Sequence, residues 1–99
     1  MKVKDLLKSP KNWSQDAFAR QSNGQESYVD EKASVRFCLL GAIMKCYKGA
    51  SYQIVCKHVI NYIREQDVEV SSVGSIVAFN DHETTKFKDI KKLIIELDI

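Results

Sequence analysis

No apolar run in these 99 residues approaches the ~18–20 that a membrane-spanning helix requires, so a membrane class is set aside at the outset. Cysteine is scarce and odd in number. Cys38, Cys46 and Cys56 cannot all pair, and the segment from Met1 to Lys8 lacks the unbroken apolar stretch and small-residue cleavage site of an export signal. The thiols are therefore expected to be reduced, in a cytoplasmic protein, rather than to form a disulfide framework. Neither a Cys-x-x-Cys nor a His-x-x-x-His pair occurs, which removes the usual zinc spacings, and there is no cofactor signature. Internal repeats and low-complexity tracts are missing as well.

Nor does charge of one sign dominate. Fifteen Lys and Arg face thirteen Asp and Glu for a net charge of +2 and a pI near 8.4, well below the clustered basic character of most nucleic-acid binders. The small excess is uneven: residues 1–50 are net basic and residues 51–99 net acidic. Such a division suits a polar partner or a head-to-tail contact. A nucleic-acid adaptor using Lys2, Lys4, Lys8 and Lys11 is the least favoured reading.

What is present is an ordinary globular composition, 44% apolar and 28% charged, in a length that makes one domain over residues 1–99. The pattern predicts an all-α fold, a compact single domain of four or five helices around a buried central one. Val3, Leu6 and Leu7 mark a first helix of about two turns, stopped by Pro10. From Lys11 to Asp30 the chain is polar and punctuated, with a helical turn suggested at Ala17-Phe18-Ala19-Arg20 and a turn at Ser22-Asn23-Gly24. Asp30 reads as an N-cap for the central helix, which runs through the most apolar stretch of the chain to Lys48, where Gly49 offers a stop.

Ser51 is the expected cap of the next helix. Its apolar residues Tyr52, Val55, Cys56, Val59, Ile60 and Ile63 fall at helical spacing, the clearest amphipathic pattern in the sequence. Asp67-Val68-Glu69-Val70-Ser71 alternates with period two and reads as a loop or an isolated extended piece, for want of a partner strand. Ser71 or Ser72 then caps a short helix burying Val73, Ile76 and Val77 and ending at Phe79-Asn80, where Asn tolerates the left-handed conformation. Thr84 or Thr85 caps a last helix with Phe87, Ile90, Ile94 and Leu97 on one face and Lys88, Lys91 and Lys92 on the exposed side.

Cys38 raises the question of chemistry. Placed mid-helix, away from an N-terminus that would lower its pKa, it reads as a small core hydrophobe, with Gly41 nearby permitting close helix approach. Nucleophilic catalysis would need a base, for which His82 is the better placed of two histidines. Trp13, the single tryptophan, reads as a partly buried anchor rather than a stacking platform. The most concentrated polar group is Asn80-Asp81-His82 followed by Thr84-Thr85. Its plain reading is a helix stop, a turn and a helix start; its sharper one is a site gripping a polar ligand or partner, helped by Arg20 or Arg36.

Trp13, Ala17, Ala19-Arg20 and Gly24, then Ala33, Phe37-Cys38-Leu39 and Gly41-Ala42, then Phe79-Asn80-Asp81 and Thr84 or Thr85, together resemble the signature of a family of small bacterial and phage proteins without an assigned activity. Phe37 and Phe79 stand where tryptophan is common in that family, and Gln21 where an acidic residue is usual. The resemblance implies a shared fold and a shared site but no activity. The matching connection residues Trp13, Arg20, Asn80, Asp81 and Thr84 are expected to converge over one end of the central helix as a shallow polar pocket. The first expectation is a non-enzymatic interaction or accessory protein working through a protein partner or self-association. The alternative is a small ligand-binding protein or enzyme with Trp13, Arg20, Asn80, Asp81, His82 and Thr84 at its site.

Overall fold

The computed structural model describes residues 1–66 and 73–99. In chain order it contains α1 (Val3–Leu6), a 3-10 turn at Pro10–Asn12, β1 (Ala19–Gln21), β2 (Ser34–Phe37), α2 (Leu39–Cys46), α3 (Gly49–Gln66), α4 (Val73–Asp81) and α5 (Phe87–Leu97). The all-α expectation is thereby corrected: β1 and β2 pair antiparallel, with Ala19 opposite Phe37 and Arg20 opposite Arg36, and the register slips between Arg20 and Gln21. The fold is mixed α and β.

The physical reason lies at Ser34-Val35-Arg36-Phe37. Ser34 and Phe37 are buried and Val35 is exposed, and the branched and aromatic side chains suit an extended, half-buried backbone. Ser34 also holds the preceding loop, its hydroxyl lying 2.6 Å from both the Ser27 hydroxyl and the Tyr28 carbonyl oxygen. Such local side-chain bonds compete with helix. Hence the helix expected over Asp30–Lys48 is confined to Leu39–Cys46, and Asp30 is an exposed residue whose carboxylate faces Lys48 at 3.7 Å. The turn suggested at Ala17-Phe18-Ala19-Arg20 is likewise the entry to β1.

Other boundaries move for equally local reasons. α1 is a single turn, left at Leu7 before the chain extends through Ser9 into Pro10. α3 begins at Gly49, and the Ser51 hydroxyl donates to the Lys48 carbonyl (2.7 Å). α5 is capped from Lys86, whose N–H the Asp89 carboxylate accepts at 2.8 Å; Thr84 and Thr85 lie before it. The period-two stretch Asp67–Ser71 and the cap expected at Ser71 or Ser72 fall outside the described residues.

α2 is buried over Leu39, Leu40, Gly41, Ala42 and Ile43 and packs against α1, α3, α4 and β2. Around it Phe37, Leu7, Val59, Ile76, Ile90, Leu93 and Ile94 are shut from solvent in one apolar cluster. At about 1.5–3 kcal/mol for each fully buried large side chain, this cluster dominates the favourable side of folding. The two ends of the chain meet there too: the Val3 N–H donates to the Ile99 carbonyl, and Lys2 and Lys4 each lie 3.0 Å from the Asp98 carboxylate. Among the described residues, no helix is long and apolar enough to cross a membrane.

Candidate functional site

Asn80 organises the polar centre of the molecule. It lies inside α4, one residue before its end, and not at a left-handed terminator as its sequence context suggests. Its side chain is fully buried and makes four hydrogen bonds. Oδ1 accepts from the Trp13 indole N–H (2.7 Å) and the Leu39 backbone N–H (2.9 Å), while Nδ2 donates to the Ser14 carbonyl (3.0 Å) and to Asp81 Oδ1 (2.8 Å). Leu39 is the first residue of α2, so Asn80 takes up one of the N–H groups a helix start leaves without an internal partner.

The Trp13–Asp16 segment is tied to the end of α4 along its length. Gln15 Nε2 donates to the carbonyls of Asn80 (3.0 Å) and His82 (3.3 Å), and the Asp16 N–H donates to Asp81 Oδ1 (3.0 Å). Arg20 reaches the same segment, donating to the Gln15 carbonyl (3.3 Å) and to Gly24 in the adjoining turn (2.8 Å). His82 is exposed and turned to Thr84, whose N–H and hydroxyl lie 3.2 and 2.8 Å from its Nδ1. Of the residues singled out from sequence, Trp13, Asn80 and Asp81 are thus brought together directly. Arg20 and the His82 backbone join them through Gln15, while the His82 ring is paired with Thr84.

Cys38 is not in mid-helix. It is the N-cap of α2, in extended conformation, and its Sγ accepts the Gly41 N–H at 3.2 Å. Burial raises the thiol pKa, the Gly41 N–H opposes that rise, and the Asp81 carboxylate adds to it. The thiol is accordingly held protonated near neutrality, without the lowered pKa a nucleophile needs. Gly41 has a different role from the helix contact expected of it. A Cβ there would collide with the Phe18 carbonyl, which also accepts the Cys38 N–H (3.2 Å). Glycine is needed so that the backbone entering β1 can lie against the first turn of α2.

Beside this junction is a cavity of ≈ 220 Å³ whose lining includes Cys38, Phe18, Val77 and the acidic residues Asp16, Glu26 and Asp81. It offers carboxylate acceptors and a neutral thiol; the positions of Asp16 and Glu26 carried no sequence motif that would have marked them. Among the described residues, no group of three or more His, Cys, Asp or Glu side chains is placed to hold a metal ion.

Structurally this is a small helical domain with a two-stranded hairpin, locked by a buried asparagine that bridges an N-terminal loop, α2 and α4. The chain belongs to DUF6197, a family of unknown function, whose model matches residues 1–95. No curated protein and no solved structure matches it.

Proposed function

We propose that this protein is a non-enzymatic interaction or accessory module acting through a protein partner or self-association. The observation that carries the reading is the internal use of the polar cluster: Asn80 makes four bonds within the fold, and both bonded Arg20 nitrogens donate to backbone carbonyls. A reactive centre would instead need convergent polar groups aimed at a ligand. The surface meanwhile exposes Tyr28, Ile54 and Ile95, each more than half accessible, in three different elements or loops. Three free cysteines support a reducing, cytoplasmic setting. A bacterial or phage origin, and a role for the Trp13–Thr84 signature common to relatives, belong to the same proposal and rest on the family resemblance.

The acid-lined cavity at Cys38 supports a second reading, the binding of a small cationic ligand near Asp16, Glu26 and Asp81. Amide NMR separates the two. Titration with pooled small amines and metabolites is expected to leave the Asp16, Cys38 and Asp81 signals in place, while photo-crosslinkers at Tyr28, Ile54 or Ile95 give discrete protein adducts. Saturable shifts confined to the cavity, without adducts, would replace the interaction reading by the ligand one.

A further inference from the structure

The exposed side of α5 is divided by charge. Phe87, Lys88, Lys91, Lys92 and Ile95 occupy one continuous arc of the helix, while Asp89 and Glu96 fall on the next. The acids face elsewhere: Asp89 accepts the Lys86 N–H, and Glu96 lies near Tyr62 of α3, where it adds to the rise that burial gives the phenol pKa. The lysine arc therefore carries positive charge that no neighbouring carboxylate on its own face neutralises. Among the described residues, Lys86, Lys88, Lys91 and Lys92 form no ion pair.

These lysines rim a shallow groove of ≈ 650 Å³ whose floor is Phe87, Ile95 and, from the N-terminal segment, Pro10. Lys91 Nζ donates to the Lys8 carbonyl (3.1 Å), which joins α5 to the segment before Pro10, and it lies 5.9 Å from the Phe87 ring centre. Phe87 also packs on Trp13, with ring centres 6.1 Å apart. Its ring is thus committed to Trp13 and Lys91, which leaves Ile95, 59% exposed, as the open apolar contact.

We infer that this groove binds an acidic peptide segment carrying apolar residues, contributed by a partner protein. The inference rests on reading the protein as an interaction module and names the chemistry of its partner. Charge complementarity selects the occupant: carboxylates meet the four-lysine rim, and an aliphatic or aromatic side chain covers Ile95 and Pro10. A single-stranded nucleic acid fits less well. It would bring negative charge to the same rim, but the one aromatic ring in the groove is already packed, and no arginine is there to grip phosphate in bidentate fashion.

Fluorescence anisotropy tests this with a labelled peptide of about a dozen residues in which Glu or Asp alternates with Leu or Phe, so that acidic and apolar anchors are presented together. A peptide with Lys replacing the acids, and an oligothymidine strand of equal charge, serve as controls. Saturable binding of the acidic peptide is expected, weakened about tenfold or more by Lys88→Glu with Lys92→Glu and about threefold or more by Ile95→Ser, all exposed positions whose folding circular dichroism verifies. Equal binding of oligothymidine, or indifference to Ile95→Ser, would reduce the groove to a general polyanion surface and overturn the inference. Self-association abolished by the same variants would overturn it in favour of a second copy. Absence of peptide binding, together with crosslinked adducts at Tyr28 or Ile54, would remove the groove while leaving the interaction reading intact.

Discussion

The indole N–H of Trp13 donates to the buried Oδ1 of Asn80 at 2.7 Å across 67 residues of sequence, joining the loop before β1 to α4. The same oxygen accepts the first N–H of α2, so one carboxamide fixes three parts of the fold. Asn80→Ala leaves both donors without that acceptor and is expected to cost about 2–4 kcal/mol, since each buried donor left unsatisfied costs roughly 1–3 kcal/mol. Trp13→Phe keeps a ring and loses the donor, for about 1 kcal/mol. Urea unfolding of the two single variants and the double variant should show that Trp13→Phe costs clearly less once Asn80 is gone. Strict additivity would contradict the coupling.

Gly41→Ala tests the junction of β1 and α2. In an unconstrained helix this change gains up to about 1 kcal/mol from propensity. Here the new methyl meets the Phe18 carbonyl, backbone that cannot swing aside as a flexible side chain would, so a loss of about 1–3 kcal/mol is expected from overpacking. Thermal unfolding reads the sign directly. A stabilised variant would mean that the strand entry does not press on α2.

Thiol exposure gives an ordering. Cys46 is partly exposed, whereas Cys38 and Cys56 are only 2% and 3% accessible. With an aromatic disulfide reagent under native conditions, Cys46 is expected to label first, and Cys38 and Cys56 at rates that follow local opening. Fast labelling of Cys38, followed by peptide mass spectrometry, would overturn its assignment as a buried cap.

Stability should fall on the alkaline side. Burial is the first cause that raises the pKa values of Cys38, Cys46, Cys56, Tyr52 and Tyr62, so the folded chain holds these protons more tightly than the unfolded one. Their contribution is complete below the unfolded thiol range, near pH ~8.5, and is lost as pH climbs through the folded values. Urea midpoints between neutral pH and about pH 10 should therefore decline. A flat or rising midpoint would show that these groups are no more buried in the folded chain than in the unfolded one.

Helical periodicity was the most legible feature of the chain. Val55, Cys56, Val59 and Ile63 on α3, and Ile90 and Ile94 on α5, are buried as their spacing predicts, and Pro10 stands just beyond α1. The polar cluster was legible in part: Trp13, Asn80 and Asp81 meet, but the context of Asn80 and Asp81 pointed to a turn, whereas the buried carboxamide acts as an internal bridge. Ser14, Gln15 and Asp16, which complete that bridge, gave no signal beyond polarity.

Spacing within a helix is a local property, fixed by which residues return to one face every three or four positions, and so the sequence alone determined α3 and α5 and their apolar stripes. Ser34–Phe37 had no such local answer. A short apolar run fits strand or helix, and only pairing with Ala19–Gln21, together with the Phe18 carbonyl meeting Cys38 and Gly41, decided for strand and made Cys38 a cap. The role of Asn80 was settled in the same way, because hydrogen-bond partners 41 to 67 residues distant exist for it only after the chain has folded.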